Sequence, residues 1–161
     1  MADYRFLTTW IVAAPIEPVW DLIHGIERWP AWWRGVEQVT ELVHGAGDGD
    51  GEGSVYRQVW RSRIPYAVTF DVTVMRVVEP HLIEAQAEGG LEGTGTFRLF
   101  ESPRSTAVTY EWAVRTTKPW MNAVAPVARR AFAWNHHAVM KQGGIGLARA
   151  LGVPLVGQAS S

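Results

Sequence analysis

Residues 132–144 read FAWNHHAVMKQGG. Two adjacent histidines, an asparagine and a tryptophan in one run offer three kinds of chemistry: a metal site, a general base with its helper, or helix packing. A helix turns by about 100° per residue. With Asn135 at the centre of a face, Val124, Ala128, Ala131, Phe132, Ala138, Val139 and Gln142 fall within about 60° of it, and Met121 joins them if Pro126 leaves the phase unbroken. This predicts a sheet-facing stripe with Asn135 at its middle, a buried polar group that needs a partner: a ligand, a strand backbone or a strand tyrosine. His136 then lies about 100° away on the flank, as a proton carrier at a cavity rim or as a histidine that packs and bonds to a loop. His137 lies about 200° away and is expected to face solvent. Only residues three or four apart share a helix face, so the two imidazoles cannot converge on one atom, and no metal is called for.

The elements that must position this helix are strands. YRFLTTWIV (4–12) puts Phe6, Thr8, Trp10 and Val12 on one parity. From 54 to 117 strand follows strand. Tyr66, Val68, Phe70, Val72, Val74 and Val78 share a parity, with Thr69, Asp71 and Thr73 opposite; this is a long strand with one wet face. Ile83, Ala85 and Ala87 alternate with Glu84, Gln86 and Glu88, and Leu91, Gly93, Gly95, Phe97 and Leu99 alternate with polar residues. Such small inward residues leave room, or let the strand bend. Val108, Tyr110, Trp112 and Val114 face inward on the last strand. Polar groups at inward parity include Tyr56, Gln58, Tyr66 and Tyr110; a tyrosine there orients a phenol or ketone, acts as an acid, or is an ordinary core residue. Arg57, Arg61 and Arg63 are expected on a solvated face, Arg76 near a rim, and the pair Arg129–Arg130 at the surface.

Between the first strand and the others, APIEPVWDLIHGI places Ile16, Val19, Trp20 and Ile23 at helical spacing, with prolines at the start and Gly25 at the end. ERWPAWWRGV is a second short helical segment, whose Trp29, Trp32 and Trp33 are placed to gate an interior. HGAGDGDGEG (44–53) alternates Asp48, Asp50 and Glu52 with glycine, but lacks the later ligands of a calcium loop and lies between strands, so it reads as a solvated hairpin loop. KPWMNAVAPVARRAFAWNHHAVMKQGGIGLARALG reads as one long helix opened by Pro119, with a kink expected at Pro126 and a kink or break at Gly143–Gly144. Residues 1–152 are expected to form one domain, and 153–161 a tail.

The chain has 161 residues, 47% hydrophobic and 19% charged, with a net charge of -1. This suits a globular domain and argues against a nucleic-acid binder. It holds no cysteine, which excludes disulfides and thiolate chemistry, and no apolar run of membrane-spanning length; a cytoplasmic protein is expected. Tryptophan is abundant, at nine residues, which points to a rich core or an aromatic-walled cavity.

Strand, two short helices, about six more antiparallel strands and a long helix make an α+β fold. A twisted sheet with one apolar face needs the long helix as its cover. The order of elements, with Ala14, Pro15, Glu17, Val19, Trp20, Asp21 and Ile23 followed by WPAWW and by LEGTGTFRLFE to the C-terminal helix, resembles the START-like superfamily of helix-grip folds. Within it the chain resembles a bacterial subgroup of polyketide cyclases and dehydrases. The resemblance covers almost the whole chain. It implies a curved sheet of six or seven strands round the helix, and leaves activity open, because binders, transporters and enzymes share this scaffold.

Three functions follow for weighing. The first is a binder or carrier of a small hydrophobic or aromatic ligand, polyketide- or lipid-like, lined by Trp32, Trp60, Tyr66, Phe70, Phe97, Tyr110, Trp112, Phe132, Asn135 and Val139. The second is an aromatase/cyclase or dehydratase using Tyr, His and Asn in the same cavity; no catalytic residue is assigned. The third is a protein-interaction module with a filled interior. No cofactor is expected, and the chain is expected to be a monomer or weak homodimer.

Overall fold

In the computed structural model, residues 3–45, 51–61, 67–116 and 125–161 are described. Strand β1 (Asp3–Val12) shows the physics of the whole sheet: Tyr4, Phe6, Thr8, Trp10 and Val12 are buried while Asp3, Arg5 and Leu7 are exposed, the period of two of a half-covered strand. Helix α1 (Ile16–His24) buries Ile16, Val19, Trp20 and Ile23, the expected face. A short 3-10 turn (Ile26–Arg28) leads into the single-turn helix α2 (Trp29–Trp32). Then come β2 (Val36–Val43), β3 (Val55–Trp60), β4 (Val68–Val78), β5 (Leu82–Gly89), β6 (Leu91–Ser102) and β7 (Ser105–Thr116), and the long helix α3 (Ala125–Leu151).

Residues 153–161, expected as a tail, carry an eighth strand, β8 (Leu155–Ser160). The sheet order is β2-β3-β4-β5-β6-β7-β1-β8, each neighbour antiparallel. β8 alternates half-buried and exposed residues and supplies partners to the free edge of β1, including Thr8 Oγ1 to Ser160 Oγ at 3.0 Å. A bulge between Val74 and Arg76 reverses the parity expected for the end of β4: Val77 packs on the core and Val78 points out.

The long helix also departs from expectation. Pro126 is the second described residue of the helix, and the residues 117–124 before it, including Pro119, lie outside the described residues. Gly143 and Gly144 do not break it. They are there for contact: a Cβ on Gly143 would stand 2.6 Å from the ring of Trp10 and 2.7 Å from that of Trp33, and one on Gly144 would stand 2.8 Å from Trp10. The helix therefore seats directly on two indoles. Trp10 Nε1 donates to the Met140 carbonyl at 3.0 Å and Trp33 Nε1 to the Val139 carbonyl at 2.9 Å, both within the buried core. Trp29 Nε1 donates to Ile23 O at 3.0 Å. Much of the tryptophan wealth thus clamps helix to sheet and to α2, each buried bond contributing about 1 kcal/mol.

Buried side chains form two clusters. One gathers Trp10, Trp20, Trp29, Trp33, Leu99, Met140 and Leu147; the other gathers Tyr4, Phe6, Phe70, Leu91, Val114 and Phe132. Where they meet, between sheet and α3, the interior is not filled.

Candidate functional site

Two spaces lie in that interior. The first, about 40 Å³, is bounded by Phe132, Asn135, His136, Val139 and Met140 of α3. Its sheet wall is Trp60, Val68, Phe70, Leu91, Tyr110 and Trp112, with Arg61 beside them. The second, about 30 Å³, lies against Ile26, Trp29, Gln58, Val72, Ile83 and Phe97. Ala85, Ala87 and Gly95 complete it, as the small inward residues of β5 and β6 led one to expect. Phe70, Tyr110 and Trp112 border both spaces. Gly93 does not contribute room: a Cβ there would collide with the carbonyl of Ala113, so it serves the close approach of β6 to β7.

Of the ten residues picked from the sequence, Trp60, Phe70, Tyr110, Trp112, Phe132, Asn135 and Val139 line the first space, and Phe97 lines the second. Tyr66 lies outside the described residues. Trp32 lines neither space: it is half-buried and stacks on Trp33 with centroids 5.4 Å apart, so it belongs to the α2 packing. The carboxylate loop falls partly outside the described residues; Glu52, within them, accepts a hydrogen bond from Val77 N at 2.8 Å and so ties its loop to β4. Arg57 and Arg61 pair with Asp71 and Glu37, at 2.9 and 2.8 Å, on the exposed face as expected. Arg76 is exposed and pairs with Glu84 at 3.8 Å, away from both spaces.

The main correction concerns α3. Its buried stripe runs Phe132, His136, Val139, Met140, Gly143, Leu147, so His136 and not Asn135 sits at the centre. Asn135 is half-buried at the edge of the first space and is engaged by a neighbouring group. His136 is 4% exposed. Its ring stacks on Phe6, centroids 4.0 Å apart and planes 18° apart, and lies nearly parallel to Trp112 at 5.1 Å. His137, expected in solvent, is half-buried, edge-on to Phe6 at 5.8 Å. The two imidazoles stand 6.0 Å apart at a steep angle, consistent with a helix turning them away from one another. Among the described residues no group of three or more His, Asp or Glu is placed to hold a metal ion.

His136 Nε2 is buried and has no hydrogen-bond partner among the described residues, a property shared with His137 Nε2, Tyr4 Oη and Trp32 Nε1. Burial in the aromatic surroundings, and secondarily the adjacent His137, lower its pKa to about 3, so the ring is neutral near pH 7. Burial also pushes the Tyr110 phenol well above its ordinary range. Its ring stacks on Phe97, centroids 4.2 Å apart. The polar groups lining the first space from the core are therefore a neutral imidazole and a protonated phenol set in aromatic walls. Neither shifts toward ionisation, which makes them hydrogen-bonding groups before they are proton carriers.

A family model described as polyketide cyclase/dehydrase and lipid transport matches residues 5–148. The chain belongs to that family. No curated protein matches it by sequence. Solved structures share the fold. The Zhui aromatase/cyclase from Streptomyces sp. R1128 is 14% identical, with a TM-score of 0.70 over 92% of this chain and 93% of its own. TTHA0849 from Thermus thermophilus is 16% identical, with a TM-score of 0.72 over 92% and 99%. Norcoclaurine synthase from Thalictrum flavum, in complex with dopamine and hydroxybenzaldehyde, is 14% identical, with a TM-score of 0.62 over 93% and 87%. At such identities the likeness is one of fold. No helix among the described residues is long and apolar enough to cross a membrane.

Proposed function

We propose that the chain binds a small, uncharged aromatic molecule between the sheet and α3, stacked among Trp112, Phe132 and Phe70 and hydrogen-bonded to His136. The observation that carries this is the place of His136: it lines the first space from the middle of the buried helix stripe, and its Nε2 has no hydrogen-bond partner among the described residues. Leaving such a group unpaired costs about 1–3 kcal/mol. A ligand hydroxyl or carbonyl would recover that cost in a low-dielectric setting, where a hydrogen bond counts for more. An uncharged ligand suits a lining that is mainly aromatic and aliphatic, whose cation Arg61 is already paired with Glu37. A cytoplasmic carrier, monomeric or weakly dimeric, is part of the same proposal.

The test is quenching of the intrinsic tryptophan fluorescence by hydroxylated aromatic compounds, with fatty acids and sterols as contrasts. Phenolic aromatics are expected to bind in the micromolar range and His136→Phe to weaken them about tenfold or more. Tighter binding of fatty acids, or no effect of His136→Phe, refutes the reading.

A second reading, cyclisation or dehydration of a polyketone, is favoured by the family description and by Tyr110 and His136 lining one space. In it the phenol polarises a carbonyl while the walls fold the chain. A neutral imidazole with so low a pKa is a poor base, which places binding first. Turnover abolished by Tyr110→Phe with binding intact would reverse that order.

A further inference from the structure

We propose that the fold carries a further site, separate from the two interior spaces, that binds a small organic cation: one ammonium or amidinium group on a short apolar body.

The site is a space of about 200 Å³ bounded by the end of α1, the turn after it, β2 and β3. At about 30 Å³ for a water it has room for about six, and so for a one-ring amine with no wall displaced. Its lining divides in two. Ile26, Val74 and Ile83, which are 5%, 3% and 3% exposed, form an apolar floor. Ile26 and Ile83 also border the second interior space and stand between it and this one. The rest of the lining is polar and acidic. Glu27 comes from the turn and Glu41 from β2, and their side chains lie within hydrogen-bonding reach of each other. Partial burial of Glu27, and then the charge of Glu41 beside it, hold its carboxyl above the usual range. Tyr56 of β3 stands next to both, its hydroxyl within reach of Glu41 and of the buried Ser54. Neither lysine nor arginine occurs among the described residues that line the space. His44 reaches Glu41 at 3.1 Å, but its side chain is 84% exposed, so this pair forms at the surface and contributes little.

Two carboxylates held together repel one another. A cation between them removes that repulsion and gains charge-assisted hydrogen bonds from both. A bare metal ion suits the lining poorly: among the described residues no three carboxylates or imidazoles are grouped to hold one, and the floor is hydrocarbon. An ammonium or amidinium on a ring meets both halves at once. Its charge lies on Glu27 and Glu41, and its body lies on the isoleucines and Val74, against the flat rings of Tyr56 and His24.

The experiment titrates the full chain with benzylamine, and with benzyl alcohol and benzoate as neutral and anionic controls, following backbone amide shifts by NMR. Benzylamine is expected to bind with a Kd of about 1 mM or tighter, about tenfold or more below that of either control, with shifts centred on Ser54, Tyr56 and Val74. Glu27→Gln and Glu41→Gln keep the shape of each side chain and remove one charge. Each should weaken benzylamine about fivefold or more and leave benzyl alcohol within about twofold. Glu17→Gln, exposed on α1 and outside the site, should leave both within about twofold. No binding of benzylamine below about 10 mM, equal binding of benzyl alcohol, no effect of either pocket variant, or an equal effect of Glu17→Gln overturns the proposal. Should a pocket variant not fold, the contrast of the three probes on the wild type and the place of the shifts decide. Shifts centred on Trp112, Phe132 and His136 would put the amine in the first space and overturn the separate site. The aromatic site on α3 is tested apart from this one, by its phenolic probes and His136→Phe, so either can fail while the other stands.

Discussion

Protonating His136 should unfold this protein from within. The unfolded histidine titrates near 6.5, whereas in the folded chain burial and His137 hold the pKa at about 3. The folded state therefore binds fewer protons than the unfolded state between those two values, and stability rises with pH through that window. In the acid direction, the contribution of the neutral ring is present above about pH 6.5 and is lost as pH falls toward 3, at up to about 1.4 kcal/mol per unit. Between pH 7 and pH 5 the loss integrates to about 2 kcal/mol, a large share of a typical domain's stability. The control is His136→Phe, which keeps a flat ring to stack on Phe6 and Trp112 and does not titrate. Urea unfolding of both proteins at pH 7 and pH 5 gives four stabilities; every other ionisable group, His137 included, is common to both proteins. The wild type is expected to lose about 2 kcal/mol more than the variant over that interval, with unchanged urea dependence. The variant should also be the more stable protein at pH 7, since it no longer buries an unpaired nitrogen. Equal losses in the two proteins, within about 0.5 kcal/mol, would refute the claim that His136 is buried in its neutral form.

Gly143→Ala should destabilise the fold by about 1–3 kcal/mol although alanine is the better helix former, because the added methyl meets Trp10 and Trp33; a rise in melting temperature would contradict that contact. Trp33→Phe removes the bond to the Val139 carbonyl and opens a cavity in a fully buried position, for an expected loss of about 2–4 kcal/mol in chemical denaturation. Ending the chain after Gly152 strips β8 from β1, including the mutual bonds of Leu7 and Ser161 backbones at 2.9 and 3.1 Å; the bared edge should lower the melting temperature and raise concentration-dependent association in light scattering.

How far the sequence could be read is shown best by α3. The sheet was legible because a period of two leaves little choice: a strand residue faces in or out, and a parity error needs a bulge, as happened after Val74 where nothing in the composition marks one. A helix face is a continuous angle, and its centre depends on which residues are counted. Centring on Asn135 treated Gly143 and Gly144 as punctuation that ends the useful pattern. They are contact residues, and once they are counted with Met140 and Leu147 the stripe turns by about 100° onto His136. The same misreading hid the role of the tryptophans. Their number was readable as a rich core or a cavity wall, but not that the N–H groups of Trp10 and Trp33 meet helix carbonyls, which only the close glycine approach brings within reach. Ala85, Ala87 and Gly95 were readable as room or as a bend; they border the second space, whereas Gly93 on the same parity serves close strand approach. That the second space lies against Tyr110 depends on how β5, β6 and β7 align, and register is fixed by pairing across the sheet, not by any one strand. What the residues of a single element do was therefore open to inspection; what two elements do to each other was not, and in this interior the chemistry lies at such junctions.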